Sequence, residues 1–150
     1  MPPAAGDRAP AFSTRTQFGE PVGPDDLAAT PYLLVFFPYA FTGICTGELA
    51  ELQRLVPRWQ EIGTRVLALS CDAMFSLRVF AEQERYDFDL LTDHWPHGRI
   101  SRAFGAFDER AGCALRASFL VDATGTVQWS VVNPVGQARD MDAPLAFAGG

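Results

Sequence analysis

The chain has 150 residues, enough for one domain (1–150) that buries roughly two-thirds of the surface its unfolded form exposes. Hydrophobic residues make up 48% and charged residues 20%, a balance that excludes extensive disorder. A net charge of -6 with no basic block excludes a phosphate-backbone reader, so no nucleic-acid partner is expected.

The opening residues MPPAAGDRAP carry neither a basic n-region nor an apolar run, which does not read as a secretory signal and makes a cytoplasmic location the expectation. Alternation begins at Phe12, Thr14 and Thr16, a short strand that the stretch Gln17 to Pro21 turns, and an N-terminal hairpin or extended arm follows. Tyr32 to Phe37 is a continuous apolar run between Pro31 and Pro38, suited to a central parallel strand buried on both faces. It is also the longest apolar stretch, far short of the ~20 residues that a membrane-spanning helix needs. No membrane partner is expected. Beyond it Leu49, Leu52, Val56 and Trp59 recur at helical spacing, with Glu48, Glu51, Gln53 and Arg54 on the other face. This amphipathic helix starts near Cys45, and Pro57 should kink or end its second half.

Val66 to Leu69 reads as a second buried strand, and Phe75 to Arg85 as a helix that turns Leu77, Phe80 and Ala81 inward. A short strand near Phe88 to Leu91, a loop from Asp93 to Gly98 and a brief helix over Ile100 to Phe104 come next. Two closing strands, Arg116 to Val121 and Val127 to Val132, are joined by the turn Asp122-Ala123-Thr124-Gly125. Strands of both directions in this order predict an α/β fold, a thioredoxin-like sandwich with a central mixed sheet flanked by helices. After Asn133 the chain is rich in Pro, Gly and Ala, and a short helix and a loose tail both stay open.

Cys45 falls between the end of a buried strand and the first turn of a helix, where unpaired backbone N–H groups and the helix dipole stabilise an anion. A thiolate, the nucleophilic form of cysteine, is favoured there. The bland alternative is a buried small hydrophobe, the commoner fate of a free cysteine. Residues 36 to 48 read Phe-Phe-Pro-Tyr-Ala-Phe-Thr-Gly-Ile-Cys-Thr-Gly-Glu. Pro38, Thr42 and Cys45 fill the pattern Pro-x-x-x-Thr-x-x-Cys, which closely resembles the active site of the peroxiredoxins.

The similarity extends to the subgroup of alkyl hydroperoxide reductase E from actinobacteria, through Leu33 to Phe37, Ala40 to Cys45, Trp95-Pro96-His97-Gly98 and the strand Arg116 to Asp122. The resemblance implies that Cys45 attacks the terminal peroxide oxygen, Pro38 shields the thiolate, the Thr42 hydroxyl contacts the peroxide and Arg116 completes the site. Gly43, Ile44 and Glu48 are then substrate-binding positions, with the N–H groups of Ile44 and Cys45 facing the peroxide oxygens and the Thr42 hydroxyl accepting from the peroxide O–H and donating to the thiolate. It also implies a homodimer that needs no cofactor and no metal. Hydrogen peroxide, organic hydroperoxides or peroxynitrite would be reduced through a sulfenic acid on Cys45. Each supporting residue has a structural alternative: Pro38 ending a strand, Thr42 capping the helix, Arg116 pairing with Glu109 or another surface acid.

A sulfenic acid must condense with a second thiol. Position 50, where some peroxiredoxins carry a resolving cysteine, is Ala50, and no cysteine follows Asn133. Cys71, at the end of the second buried strand, is a candidate resolver with a partly buried idle thiol as its alternative, and Cys113 a weaker candidate in a loop. The resemblance favours a one-cysteine mechanism, recycled by a low-molecular-weight thiol or a glutaredoxin- or thioredoxin-like protein. His94 and His97 beside Asp93 lack the further ligands that a metal site requires, and Trp95 is expected to pack at the active-site rim. A thiol–disulfide oxidoreductase would need Cys-x-x-Cys, whereas Thr46, Gly47 and Glu48 follow Cys45. The remaining alternative is a redox-sensing or binding domain on the same scaffold.

Overall fold

A computed structural model describes residues 1–149. In chain order the elements are β1 (Thr14–Arg15), β2 (Pro21–Val22), α1 (Pro24–Leu27), β3 (Tyr32–Phe36), α2 (Gly43–Glu61), β4 (Arg65–Ser70), α3 (Met74–Glu84) and β5 (Asp89–Thr92). They continue with α4 (Arg99–Ala103), β6 (Phe107–Asp108), β7 (Cys113–Ala114), β8 (Arg116–Val121), β9 (Val127–Asn133) and α5 (Ala143–Ala148). The main sheet runs β5-β4-β3-β8-β9. β3 pairs in parallel with β4, as does β4 with β5, whereas β8 is antiparallel to both β3 and β9. This is the mixed central sheet that the sequence predicts, and the N-terminal hairpin is present as β1–β2.

β3 lies in the middle of the sheet with all five of its residues buried, which is why it reads as an unbroken apolar run rather than an alternating one. Because successive side chains point to opposite faces, it feeds two cores. Leu33, Val35 and the following Phe37 pack with Leu49, Leu52 and Trp59 of α2, Leu77 and Phe80 of α3, and Leu145 of α5. Leu34 and Phe36 pack on the other face with Ile100 of α4, Phe104, Phe119 and the N-terminal Phe12. Fully buried side chains of this size each contribute roughly 1.5–3 kcal/mol relative to exposure. Residues from both ends of α2, Leu49 and Trp59, therefore enter the core that β3 helps to form.

Three features depart from the sequence expectations, and one alternative left open is resolved. Pro57 does not end α2, which runs on to Glu61. Leu55, Val56 and Trp59 are buried on either side of it, while the Pro57 ring faces solvent, so packing holds the last turn where local propensity opposes it. Glu48, assigned to the solvent face of that helix, is buried. Cys113 lies in a strand, in the small hairpin β6–β7, rather than in a loop. After Asn133 the chain forms a connection and then α5, whose Pro144 and Leu145 are buried.

Candidate active site

The apolar β3 ends at Phe36, and the chain reaches α2 through the turn 37–42. Pro38 is buried in that turn and Phe41 sits at φ +68°, left-handed backbone that costs a bulky residue about 1–2 kcal/mol. Thr42 is the N-cap of α2, yet its hydroxyl does not cap the helix: it donates to Tyr39 O at 2.9 Å. The proton the sequence reading assigned to the thiolate is thus committed elsewhere, and the lone pairs of Thr42 Oγ1 are left to accept. Thr46 N–H donates to Thr42 O at 2.9 Å, so the amides of Gly43, Ile44 and Cys45 precede the first helical hydrogen bond. A side chain at Gly43 would meet nothing within 4 Å, and Thr42, Gly43 and Ile44 are all exposed. The helix start is open, and it carries no acidic residue to compete for its dipole.

Cys45 projects inward from this turn and is fully buried. Arg116, the first residue of β8, reaches it across the β3–β8 ladder: Nη1 donates to Cys45 Sγ at 3.2 Å and to Glu48 Oε1 at 2.8 Å. Its Nε donates to Val135 O, and Nη2 donates to no group among the described residues. A guanidinium buried at the sulfur thus keeps a fork of N–H groups in reserve.

Glu48 was expected to contact substrate, and the geometry corrects this. Oε1 accepts from Arg116 Nη1 and from Arg139 Nη2 at 3.0 Å, and Oε2 accepts from Arg139 N at 2.7 Å and Arg139 Nε at 3.1 Å. Four donors occupy a carboxylate's acceptor sites and leave none for a peroxide. Burial alone would push the Glu48 carboxyl up, but the hydrogen bonds and charge of Arg139, then Arg116, outweigh it and hold it below its usual value. Glu48 therefore fixes two guanidinium groups. Arg139, which the sequence reading missed, also donates from Nη1 to Ala117 O at 2.6 Å and to Ser118 Oγ at 3.1 Å. No local signal in the sequence marks Arg139, the one arginine after Arg116, because its role depends on the fold that brings it to Glu48.

The other cysteines are in different surroundings. Cys71 is buried at the end of β4, toward Asp93 and Ser101, and burial first, then the charge of Asp93, pushes its thiol up to about 12. Burial also raises the Cys113 thiol, which lies close to Tyr39. Among the described residues neither is hydrogen-bonded into the Cys45–Glu48–Arg116 cluster, although Cys113 lies near enough to feel the charges of Cys45 and Arg116. Arg116 does not pair with Glu109, whose partner is Arg102. His97 Nε2 lies 2.6 Å from Gly112 O. Trp95, expected at the active-site rim, is 84% exposed and lines a groove with Phe75 and Met74 instead.

An inward cysteine on an open helix start, held by a buried guanidinium, suits nucleophilic attack on a small electrophile. Residues 5–130 match the AhpC/TSA family. The chain belongs to this family, and it is a peroxiredoxin of the alkyl hydroperoxide reductase E type. Alkyl hydroperoxide reductase E of Mycobacterium tuberculosis is 43% identical over 108 residues, 72% of this chain and 71% of the relative. The peroxidoxin BcpB structure from Mycobacterium tuberculosis matches with TM-score 0.84 and 27% identity, covering 97% of this chain and 95% of that one. Enterococcus faecalis AhpC matches in fold with TM-score 0.88 at 24% identity, covering 96% and 89%. The peroxiredoxin is a thiol-dependent peroxidase whose substrate is a peroxide and whose reductant is a thiol.

Glu48 and Arg139 have side chains only 4% and 1% exposed. Removing one partner of such a pair leaves a buried charge under-satisfied, so Arg139→Ala in this peroxiredoxin should lose about 3–5 kcal/mol of stability, read from the denaturant midpoint at neutral pH. The folded-state value of Glu48 lies below 4.5, so the contribution is present above that pH and is lost as pH falls through the folded value. A loss under ~1 kcal/mol at neutral pH would mean that Arg116 and the Arg139 amide alone satisfy the carboxylate.

Proposed function

We propose that Cys45 is the peroxidatic nucleophile of this peroxidase, and the observation that carries the reading is the Arg116 Nη1–Cys45 Sγ hydrogen bond at the start of α2. The ionised sulfur attacks the terminal oxygen of ROOH in line with the O–O bond. A new S–O bond forms, the O–O bond breaks, and RO⁻ leaves with the electron pair and takes a proton. Sulfur is oxidised to Cys45–SOH and the peroxide is reduced to ROH. Negative charge moves from sulfur to the leaving oxygen, so the useful donors are those that reach both. Arg116 supports this in two ways: Nη1 is at the sulfur, and Nη2 is free to follow the charge. Thr42 Oγ1, its proton engaged by Tyr39, accepts the peroxide O–H, and the open amides of Gly43, Ile44 and Cys45 face the oxygens. Pro38, buried in the same turn, limits water at the sulfur, while Glu48 and Arg139 hold Arg116 in place.

Hydrogen peroxide, organic hydroperoxides and peroxynitrite all present the oxygen that this chemistry needs. Recycling falls to an external thiol, a low-molecular-weight one or a glutaredoxin- or thioredoxin-like protein, because burial keeps Cys71 and Cys113 protonated in the neutral range. The peroxiredoxin works as one domain, in the cytoplasm, as a homodimer. Both cores share one sheet, all three cysteines are free thiols, and the exposed Phe75 and Trp95 offer apolar surface for a second copy to cover.

Mass spectrometry after one equivalent of peroxide tests the reading. The expected product is a single oxygen on the Cys45 peptide. Cys71→Ser and Cys113→Ser should leave the rate of that oxidation within about threefold of the unmodified chain. An internal disulfide, or oxygen on another cysteine, would overturn the one-cysteine scheme.

A further inference from the structure

We infer that Asp72 is a positioning residue for the peroxide reaction, acting through the backbone of the turn that carries Thr42; the inference rests on Cys45 being the nucleophile. Asp72 lies between β4 and α3, 27 residues beyond Cys45 in the chain, and touches no reacting atom. Its Oδ2 accepts the Ala40 N–H at 2.9 Å. The same oxygen accepts from the buried Ser70 Oγ at 2.6 Å, Ser70 Oγ accepts from Asp72 N at 3.2 Å, and Thr92 Oγ1 donates to Asp72 O at 2.6 Å. Asp72 is thus pinned at the ends of two neighbouring sheet strands, its carboxylate by Ser70 and its backbone carbonyl by Thr92, and it passes that rigidity to Ala40.

The recipient needs it. Ala40 precedes Phe41, whose left-handed backbone reverses the chain into Thr42, and the Thr42 hydroxyl is aimed by its bond to Tyr39 O on the other side of Ala40. Residues in such backbone regions persist only where their surroundings over-determine them. Among the described residues, the hydrogen bonds that tie the turn 38–42 to segments outside the turn and α2 are the Asp72–Ala40 bond and the bond from Tyr39 Oη to Ala111 O at 2.8 Å, made by an exposed side chain, beside the apolar packing of Pro38, Ala40 and the Phe41 ring on Phe80. With Asp72 gone the turn keeps its non-directional apolar packing and one peripheral hydrogen bond, which fix the orientation of the Thr42 acceptor less tightly. The thiolate is held from the other side, by Arg116 and α2, and does not depend on this bond.

The test separates the two. Full-length Asp72→Ala and Asp72→Asn are reacted with hydrogen peroxide, which demands orientation, and with iodoacetamide, which demands mainly an available thiolate, and the Cys45 peptide is quantified by mass. Asp72→Ala should oxidise at least ~10-fold more slowly while alkylation stays within about threefold, and Asp72→Asn, whose amide oxygen can still accept from Ala40, should recover most of the rate. Oxidation within about threefold of the unmodified chain, equal loss in both reactions, or no recovery in Asp72→Asn would overturn the inference. If Asp72→Ala does not fold, Ser70→Ala serves with the same two readouts: slower oxidation with unchanged alkylation supports the inference, and unchanged oxidation removes it. Oxygen on a sulfur other than Cys45 in the unmodified chain would sink the underlying assignment instead, and it would appear without any substitution.

Discussion

Cys45→Ser is expected to abolish peroxide consumption, a loss on the order of 10³-fold or more in the second-order rate. A serine hydroxyl would occupy the same inward position on α2, beneath the same Arg116 donor, but it does not ionise at neutral pH, and the nearby Glu48 carboxylate has its acceptor sites filled by Arg116 and Arg139. Neither remaining thiol can substitute, because burial pushes Cys71 up to about 12 and raises Cys113 as well, so both lack the reactive anion. Peroxide loss followed in the presence of excess dithiothreitol checks this. Consumption that survives in Cys45→Ser but vanishes in Cys71→Ser would move the nucleophile to the end of β4.

The parts of the fold legible in the sequence are those whose residues are fixed by local periodicity. β3 is readable because a strand covered on both faces tolerates no polar residue, and α2 because Leu49, Leu52, Val56 and Trp59 must all face one core. The proximity of Cys45 and Arg116 followed from a family pattern rather than from any local rule, since 71 residues separate them. Arg139 stayed hidden because it is 91 residues from Glu48, in a segment with no apolar period, and its role exists only once the tail folds back over the site. Glu48 was misplaced for the complementary reason: a glutamate at a helix position is solvent-facing unless distant cations bury it. Thr42 shows a finer limit. A threonine at an N-cap has two acceptable partners for its hydroxyl, a helix amide or a nearby carbonyl, and the choice of Tyr39 O is made by a turn geometry that the sequence does not encode locally.

Arg116→Ala should slow oxidation of Cys45 by roughly 10²-fold, equivalent to about 2.7 kcal/mol of transition-state stabilisation. The argument turns on what the guanidinium does that the rest of the site cannot. Helix amides and dipole remain in the variant, so the sulfur keeps part of its anionic stabilisation, but the donors able to shift from sulfur to the departing oxygen are gone. Glu48 keeps Arg139, so the fold should survive better than in Arg139→Ala. Arg116→Lys sharpens the point: one ammonium cannot serve Cys45 Sγ, Glu48 Oε1 and Val135 O together, so a point charge should restore only part of the rate. Rapid-mixing oxidation set beside iodoacetamide alkylation separates the effects. Oxidation falling much further than alkylation assigns Arg116 to the transition state, an equal fall assigns it to the thiolate alone, and an unchanged oxidation rate removes it from the reaction.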